Sequence, residues 1–65
     1  MNGNTCFFIV FGPDSAISTF RQTTKWITEH ANVSILDIHT NQEVAANVLL
    51  YTTTIYYRIG ETNGK

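Results

Sequence analysis

The sequence predicts a single α+β domain of order β-α-β-β, with one helix on one face of a three-stranded mixed sheet. Three observations predict it: a continuous apolar run at 5–11, a helical repeat of apolar residues at 15–31, and strand-like segments at 33–39 and 48–59. β-Branched and aromatic residues dominate the strand segments and fit a pleated, half-buried surface. The domain spans residues 1–65, and we expect loose polar ends at about 1–4 and 61–65.

The longest predicted strand is 48–59, VLLYTTTIYYRI. Its alternate residues point to opposite faces of the sheet. The nearly apolar face, expected to meet the core, carries Leu49, Tyr51, Thr53, Ile55, Tyr57 and Ile59. The mixed face carries Val48, Leu50, Thr52, Thr54, Tyr56 and Arg58. We expect this strand in the middle of the sheet, because it is the longest and its centre is uncharged.

The first predicted strand, 5–11 (TCFFIVF), is apolar on both faces. A strand of that kind is covered on both sides. The pattern leaves open whether Phe7, Ile9 and Phe11 or the alternate residues meet the helix. Gly12 to Ser15 then forms the turn into the helix, where Asp14 or Ser15 can cap the free amides of the first turn.

The helix is predicted over 15–31 from a stripe with 3-4-3-4 spacing, and this stripe is expected to pack on the sheet. The stripe consists of Ile17, Phe20, Thr24, Ile27 and Ala31. Trp26 lies off the stripe, on the flank that carries Thr19, Thr23 and His30. A tryptophan there is expected to cover the margin of the sheet or to contribute to an interface.

The second short strand is predicted at 33–39, VSILDIH, and a polar loop at 40–46. Strict alternation puts Leu36 and Ile38 on one face, and Ile35, Asp37 and His39 on the other. Asp37 and His39 could be read as an acid–base pair. We favour an ion pair on the sheet surface, since the sequence offers no nucleophile or glycine-rich anion cradle beside them.

The segments 35–39 (ILDIH) and 51–57 (YTTTIYY) resemble small sporulation proteins of the Cse60 type over the second half of the chain. That family has a strand, an acidic helix, a strand ending in a V-I-D-I pattern and a tyrosine-rich last strand. The resemblance implies the strand-helix-strand-strand order and a bacterial or bacteriophage origin. It implies no activity for any residue, and the helix departs from it, with Trp26 and few acids.

Composition excludes several classes of function. Four cations against five acids, a net charge of −1, do not form a patch that follows phosphates, so we expect no nucleic-acid partner. No apolar run is long enough to span a membrane and no secretion signal precedes the first strand, so a cytoplasmic protein without a membrane partner is expected. Neither the single Cys6 nor the two histidines have metal-ligand spacing. We therefore expect no catalytic residues, metal or cofactor, and no enzyme.

One helix covers only one face of a sheet, and the other face would expose a contiguous apolar patch, which monomers rarely do. The predicted interface consists of Trp26, Ile35, Val48, Leu50 and Tyr56. The leading hypothesis is a non-enzymatic protein of bacterial or phage origin that acts through protein–protein interaction as a homo-oligomer. One alternative is a phage-encoded inhibitor that blocks a host defence protein. Another is an oligomer that holds a small anionic ligand between subunits, with His39, Tyr56 and Arg58 as contacts.

Overall fold

The computed structural model describes residues 5–59, which form strand β1 (Cys6–Asp14), helix α1 (Ala16–Glu29), strand β2 (Val33–Ala45) and strand β3 (Val48–Ile59). The element order predicted from the sequence is confirmed. Ser15 caps the helix, because its side chain accepts a hydrogen bond from the Ser18 amide at 3.2 Å. The loose ends predicted at 1–4 and 61–65 lie outside the described residues.

The three strands form one sheet in the order β1-β3-β2, so the long strand is central, as predicted. Both neighbours run antiparallel to β3. The predicted mixed sheet is therefore wrong, and the described sheet is antiparallel throughout. β1 and β2 run in the same direction, but β3 separates them and they never pair.

The polar loop predicted at 40–46 is also wrong, because β2 continues through this segment to Ala45. Residues 40–45 pair with 48–53 of β3 in an unbroken register. Their polar side chains suit a solvent-exposed edge strand, and cross-strand pairing decides the structure there. The hairpin closes through Ala46 and Asn47, with φ values of 52° and 64°. Two successive positive φ angles define the tight turn that matches the twist of paired strands.

The helix packs on the sheet through a different face from the predicted one. Its buried residues are Thr19, Thr23 and Trp26, whereas Ile17 is 68% exposed and Phe20 is 71% exposed. The two faces lie about 100° apart around the helix at 100° per residue. The apolar stripe therefore points sideways along the sheet surface, and the Thr/Trp face meets the sheet.

A register shift in β2 changes which side chains share a face. Ile35 pairs with Tyr57, and the next regular pair is Asp37 with Tyr56, so the β2 strand contains one extra residue, Leu36. Ile35 consequently lies on the helix side of the sheet with Ile38. The prediction that Ile35 shares the open face with Asp37 is wrong, because strict alternation ignores this bulge.

The structure also shows which face of β1 meets the helix. Phe7, Ile9 and Phe11 pair with the helix-side residues of β3, and the Phe7 ring stacks on Tyr57 with 5.7 Å between ring centroids. The β1–β3 register shifts after Phe11, where Gly12 has φ 102°. A positive φ of this size favours glycine over any L side chain.

Candidate functional site

A groove of 760 Å³ lies between the apolar stripe of α1 and the part of the sheet that the helix leaves uncovered. We call it the helix groove. Its lining includes four residues of the helix and two of β2: Ile17, Phe20, Thr24, Ile27, Ile38 and Thr40. The groove is open because α1 contacts β1 and β3 and leaves β2 without a covering layer.

Three side chains on the buried helix face fix this orientation of α1. Thr19 Oγ1 donates a hydrogen bond to the Tyr51 carbonyl oxygen at 3.1 Å, and Thr19 is only 2% exposed. Thr23 Oγ1 donates to the Thr19 carbonyl oxygen at 2.8 Å, which satisfies a buried hydroxyl within the helix. The Trp26 ring lies between Tyr57 and His30, at centroid distances of 4.8 Å and 4.3 Å. The Thr19 hydrogen bond and the Trp26–Tyr57 contact thus hold the helix on the sheet, and the aliphatic and aromatic residues Ile17 and Phe20 of the stripe stay exposed.

The exposed apolar side chains on the helix side continue beyond the groove toward both ends of β2 and β3. The helix is about 21 Å long at 1.5 Å per residue, and the strands of the hairpin span about 40 Å. The helix is thus about half as long as the strands, and it covers part of β1 and β3 only. We define the helix-side apolar surface as the exposed large hydrophobic residues Phe7, Ile17, Phe20, Ile35, Ile38, Val44, Leu49 and Ile59.

The opposite face of the sheet carries a second apolar surface that is smaller and interrupted by charge. Phe8 and Tyr56 are cross-strand partners with ring centroids 6.1 Å apart, and Phe8 is 65% exposed. Val10 and Val48 are also exposed. Asp37, His39, Glu43 and Arg58 share this face by register. We call it the open face.

Asp37 and His39 form the only ion pair among residues 5–59, with His39 Nε2 and Asp37 Oδ2 2.9 Å apart. Both side chains are exposed. The hydrogen bond from His39, and then the bond from the Ile38 amide, hold the pKa of the Asp37 carboxyl below its usual value. The His39 ring also meets Tyr56 edge-on at 5.6 Å. An exposed pair of this kind stabilises little and is an ordinary feature of a sheet surface.

The contacts predicted for an anionic ligand are only partly brought together. His39 lies beside Tyr56, but Arg58 pairs with Ser34, further along the sheet. The Asp37 carboxylate already accepts from His39 and places a negative charge where an anion would bind. These placements disfavour an anion site on one copy of the chain.

The single cysteine and His30 lie on opposite sides of the sheet. Cys6 is exposed on the open face opposite Arg58, whereas His30 Nδ1 donates to the Trp26 carbonyl oxygen at 2.8 Å, on the helix side. The described part of the chain contains no group of three His, Cys, Asp or Glu residues that could hold a metal ion. Within the same part, α1 is too short and too polar to cross a membrane.

The five predicted interface residues lie in two different places. Val48, Leu50 and Tyr56 are on the open face, as predicted. Trp26 is 9% exposed beneath the helix, and Ile35 is on the helix side. Sequence reasoning missed the exposure of Ile17 and Phe20. The signal was present in the threonines that flank Trp26, since a Thr-Thr-Trp face can pack on a sheet when its hydroxyls bond to the backbone.

No family model, curated protein or solved structure matches this chain. The resemblance to sporulation proteins therefore stays a prediction, and the surfaces described above are the basis for a functional assignment.

Proposed function

We propose that this chain is a non-enzymatic protein that acts through protein–protein contact and works as a homo-oligomer. One observation carries the proposal. Among residues 5–59, thirteen large hydrophobic side chains are exposed, and only Trp26 and Ile55 are buried hydrophobic residues. Soluble monomers rarely expose contiguous apolar surface on this scale, and such surfaces mark interaction sites.

The size of the domain supports the same proposal. A core of two buried hydrophobic residues is small even for a chain of 65 residues, whose unfolded surface is only about 60% buried on folding. The described residues contain one free cysteine and no candidate metal cluster. Association with another chain is one of the general means by which a small domain gains stability.

Self-association explains more than a foreign partner does. The sheet has an apolar surface on each side, the helix side and the open face. Its two edge strands are β1 and β2. Homo-oligomers bury such surfaces with two-fold symmetry, and every copy then gains the same contacts. A host protein that an inhibitor would block would leave the free chain with both surfaces in water, whereas self-association buries at least one of them in every copy.

Light scattering across a dilution series tests the proposal. We expect a mass of at least twice the 7.3 kDa of one chain at micromolar concentrations. The mass should fall toward one chain only on further dilution, as mass action requires. A chain that stays monomeric and soluble at hundreds of micromolar would overturn the proposal, and capture of a foreign partner would then be the better account.

A further inference from the structure

We propose that two copies of this chain pack helix side against helix side, with their α1 helices parallel and in contact and each helix lying in the helix groove of the other copy. The inference rests on the proposed self-association and adds the surface and the arrangement of the copies. It leaves both sheet edges unpaired and keeps the open face out of the interface. Observations on the helix, on the sheet and on the charges support it.

The first observation is the direction of the apolar side chains of α1. At 100° per residue, Phe20 and Ile27 lie about 80° from the centre of the buried Thr/Trp face. Both therefore point sideways over β2, and both line the helix groove. They are seven residues apart, the spacing at which a helix presents apolar side chains to a parallel neighbouring helix. Phe20 is 71% exposed, so one copy of the chain leaves this side of the helix without a neighbour.

The second observation is the room beside the helix. Because α1 lies over β1 and β3, β2 stands about 7 Å to the side of the helix axis, one and a half strand spacings. The axes of two packed helices lie about 8–10 Å apart. A second helix in contact with α1 therefore stands over β2, where Ile38 is 44% exposed and borders the groove. The space over β2 thus fits one further helix.

A two-fold axis parallel to α1 supplies that helix from a second copy. The rotation turns the second sheet over, so the two helices lie side by side in one layer between two sheets. Phe20 and Ile27 of each helix then meet the same residues of the other helix, and Ile17 packs on the β2 face of the other copy, which carries Ile38 and Thr40. The helix axes are in contact distance, so the apolar stripes touch and each helix covers the strand that the other leaves open.

The third observation is the distribution of charge. The helix-side residues of β2 are uncharged, and its titratable residues point to the open face. These are Asp37, His39 and Glu43. Among the described residues, Arg21 alone of the charged side chains lines the groove. At 100° per residue it lies opposite the buried helix face, so in the dimer it reaches past the β2 edge of the other copy, with its stem on apolar surface and its guanidinium in water. A helix-side interface therefore buries no charge, whereas one across the open face would take three titratable groups out of water.

The area that becomes buried suits a stable dimer. Four residues in the contact, Ile17, Phe20, Ile35 and Ile38, are 68%, 71%, 37% and 44% exposed. Together they expose on the order of 400 Å² per chain, at about 150–250 Å² for a whole large side chain. The apolar part of a standard interface is about 450 Å² on each partner. The other members of the helix-side apolar surface lie at the strand ends or on β1 and stay outside this interface: Phe7, Val44, Leu49 and Ile59.

Oxidative cross-linking of single-cysteine variants tests the arrangement. Phe20→Cys and Ile27→Cys, each in a Cys6→Ser background, place a thiol on the helix–helix contact. Equivalent Cα atoms would stand about 5 Å apart, since each helix radius of about 2.3 Å is subtracted from the distance between the axes, and a disulfide needs less than about 7 Å. We expect both variants to form covalent dimers on a non-reducing gel, and Lys25→Cys, on the outer side of the helix, to form none. Cross-links at both positions require parallel helices, because in an antiparallel pair only one position can meet its own counterpart.

Two matched phenylalanine substitutions test the surface by light scattering and sedimentation at equal concentrations. Phe20→Glu places a carboxylate on the helix–helix contact, and Phe8→Glu places one on the open face at a similarly exposed position. We expect Phe20→Glu to weaken dimerisation by at least about 30-fold, the effect of a central interface residue, and Phe8→Glu to leave the dimer intact. Circular dichroism checks that both variants fold.

The outcomes separate this inference from the proposed function. A monomeric wild-type chain overturns both. A wild-type dimer overturns the inference and leaves self-association standing if neither Phe20→Cys nor Ile27→Cys cross-links, or if the dimer survives Phe20→Glu. A dimer that Phe8→Glu weakens as strongly as Phe20→Glu also overturns the inference, because the open face would then belong to the interface.

Discussion

Thr19→Val is the sharpest test of the helix orientation, because it removes one hydroxyl and changes little else. Thr19 is 2% exposed, and its Oγ1 donates to the Tyr51 carbonyl oxygen at 3.1 Å. Valine keeps the branched shape and leaves this carbonyl without its side-chain donor. A buried polar group that loses its partner costs about 1–3 kcal/mol of the free energy of unfolding. In a domain of this size, each kcal/mol lowers the Tm by about 4–8 °C.

Thr24→Val is the matched control, since the same chemical change falls on the exposed stripe. We expect it to change the free energy of unfolding by no more than about 0.5 kcal/mol. Urea unfolding followed by circular dichroism, at one fixed protein concentration, measures both variants. If Thr19→Val were neutral and Thr24→Val destabilising, the helix would pack through its Ile/Phe stripe, and the orientation described here would be refuted.

Three further predictions concern the turn, the β1 register shift and the surface ion pair. Ala46→Asn should raise the free energy of unfolding by about 1 kcal/mol in urea titrations, because alanine is strained at φ 52° and asparagine is not; an unchanged midpoint would contradict this turn. Gly12→Ala should lower it by more than about 1 kcal/mol, since φ is 102° and a Cβ would collide with the Tyr51 carbonyl oxygen; a neutral thermal melt would argue against that backbone. Hydrogen bonds to the charged form lower the pKa of Asp37, so its small stabilising effect exists above the usual aspartate pKa and is lost as pH falls through the lowered value. Carboxyl NMR should show the midpoint of Asp37 rising toward the usual value in His39→Ala, and no change would mean that the pair does not form in solution.

Residue patterns predicted most of the fold because several signals agreed. The 12 residues of β3 were located with the right bounds, since β-branched and aromatic density, alternation and the absence of turn residues coincide there. The segment 40–45 was missed because its polar composition resembles a loop. Each residue of the segment pairs with a residue of β3 across a two-residue turn, and this pairing makes it a strand. The composition of the segment alone does not indicate that pairing.

The face of the helix was mispredicted for a physical reason. Hydrophobic periodicity assumes that the apolar stripe packs within its own chain. Here, one hydrogen bond from the Thr19 hydroxyl to the Tyr51 carbonyl oxygen and the Trp26–Tyr57 contact hold the helix on the sheet through its Thr/Trp face. The stripe at Ile17 and Phe20 is then left exposed. Periodicity detects the apolar stripe, but it does not tell whether that stripe packs in the core of the chain.

The bulge at Leu36 shows a second limit. One extra residue moves Ile35 to the helix side, and period-two alternation cannot detect an insertion from sequence alone. The predicted interface therefore mixed residues from both sides of the sheet. Register from the structure separates them into the open face and the helix-side apolar surface.

The most direct test of the central claim is an isotope-filtered NMR experiment on an equal mixture of ¹³C-labelled and unlabelled chains. It reports only contacts between copies. We predict cross-copy signals that involve the Ile17 and Ile38 methyl groups and the Phe20 ring. Cross-copy signals confined to Phe8, Val10 and Tyr56 would contradict the account, because the copies would then meet through the open face.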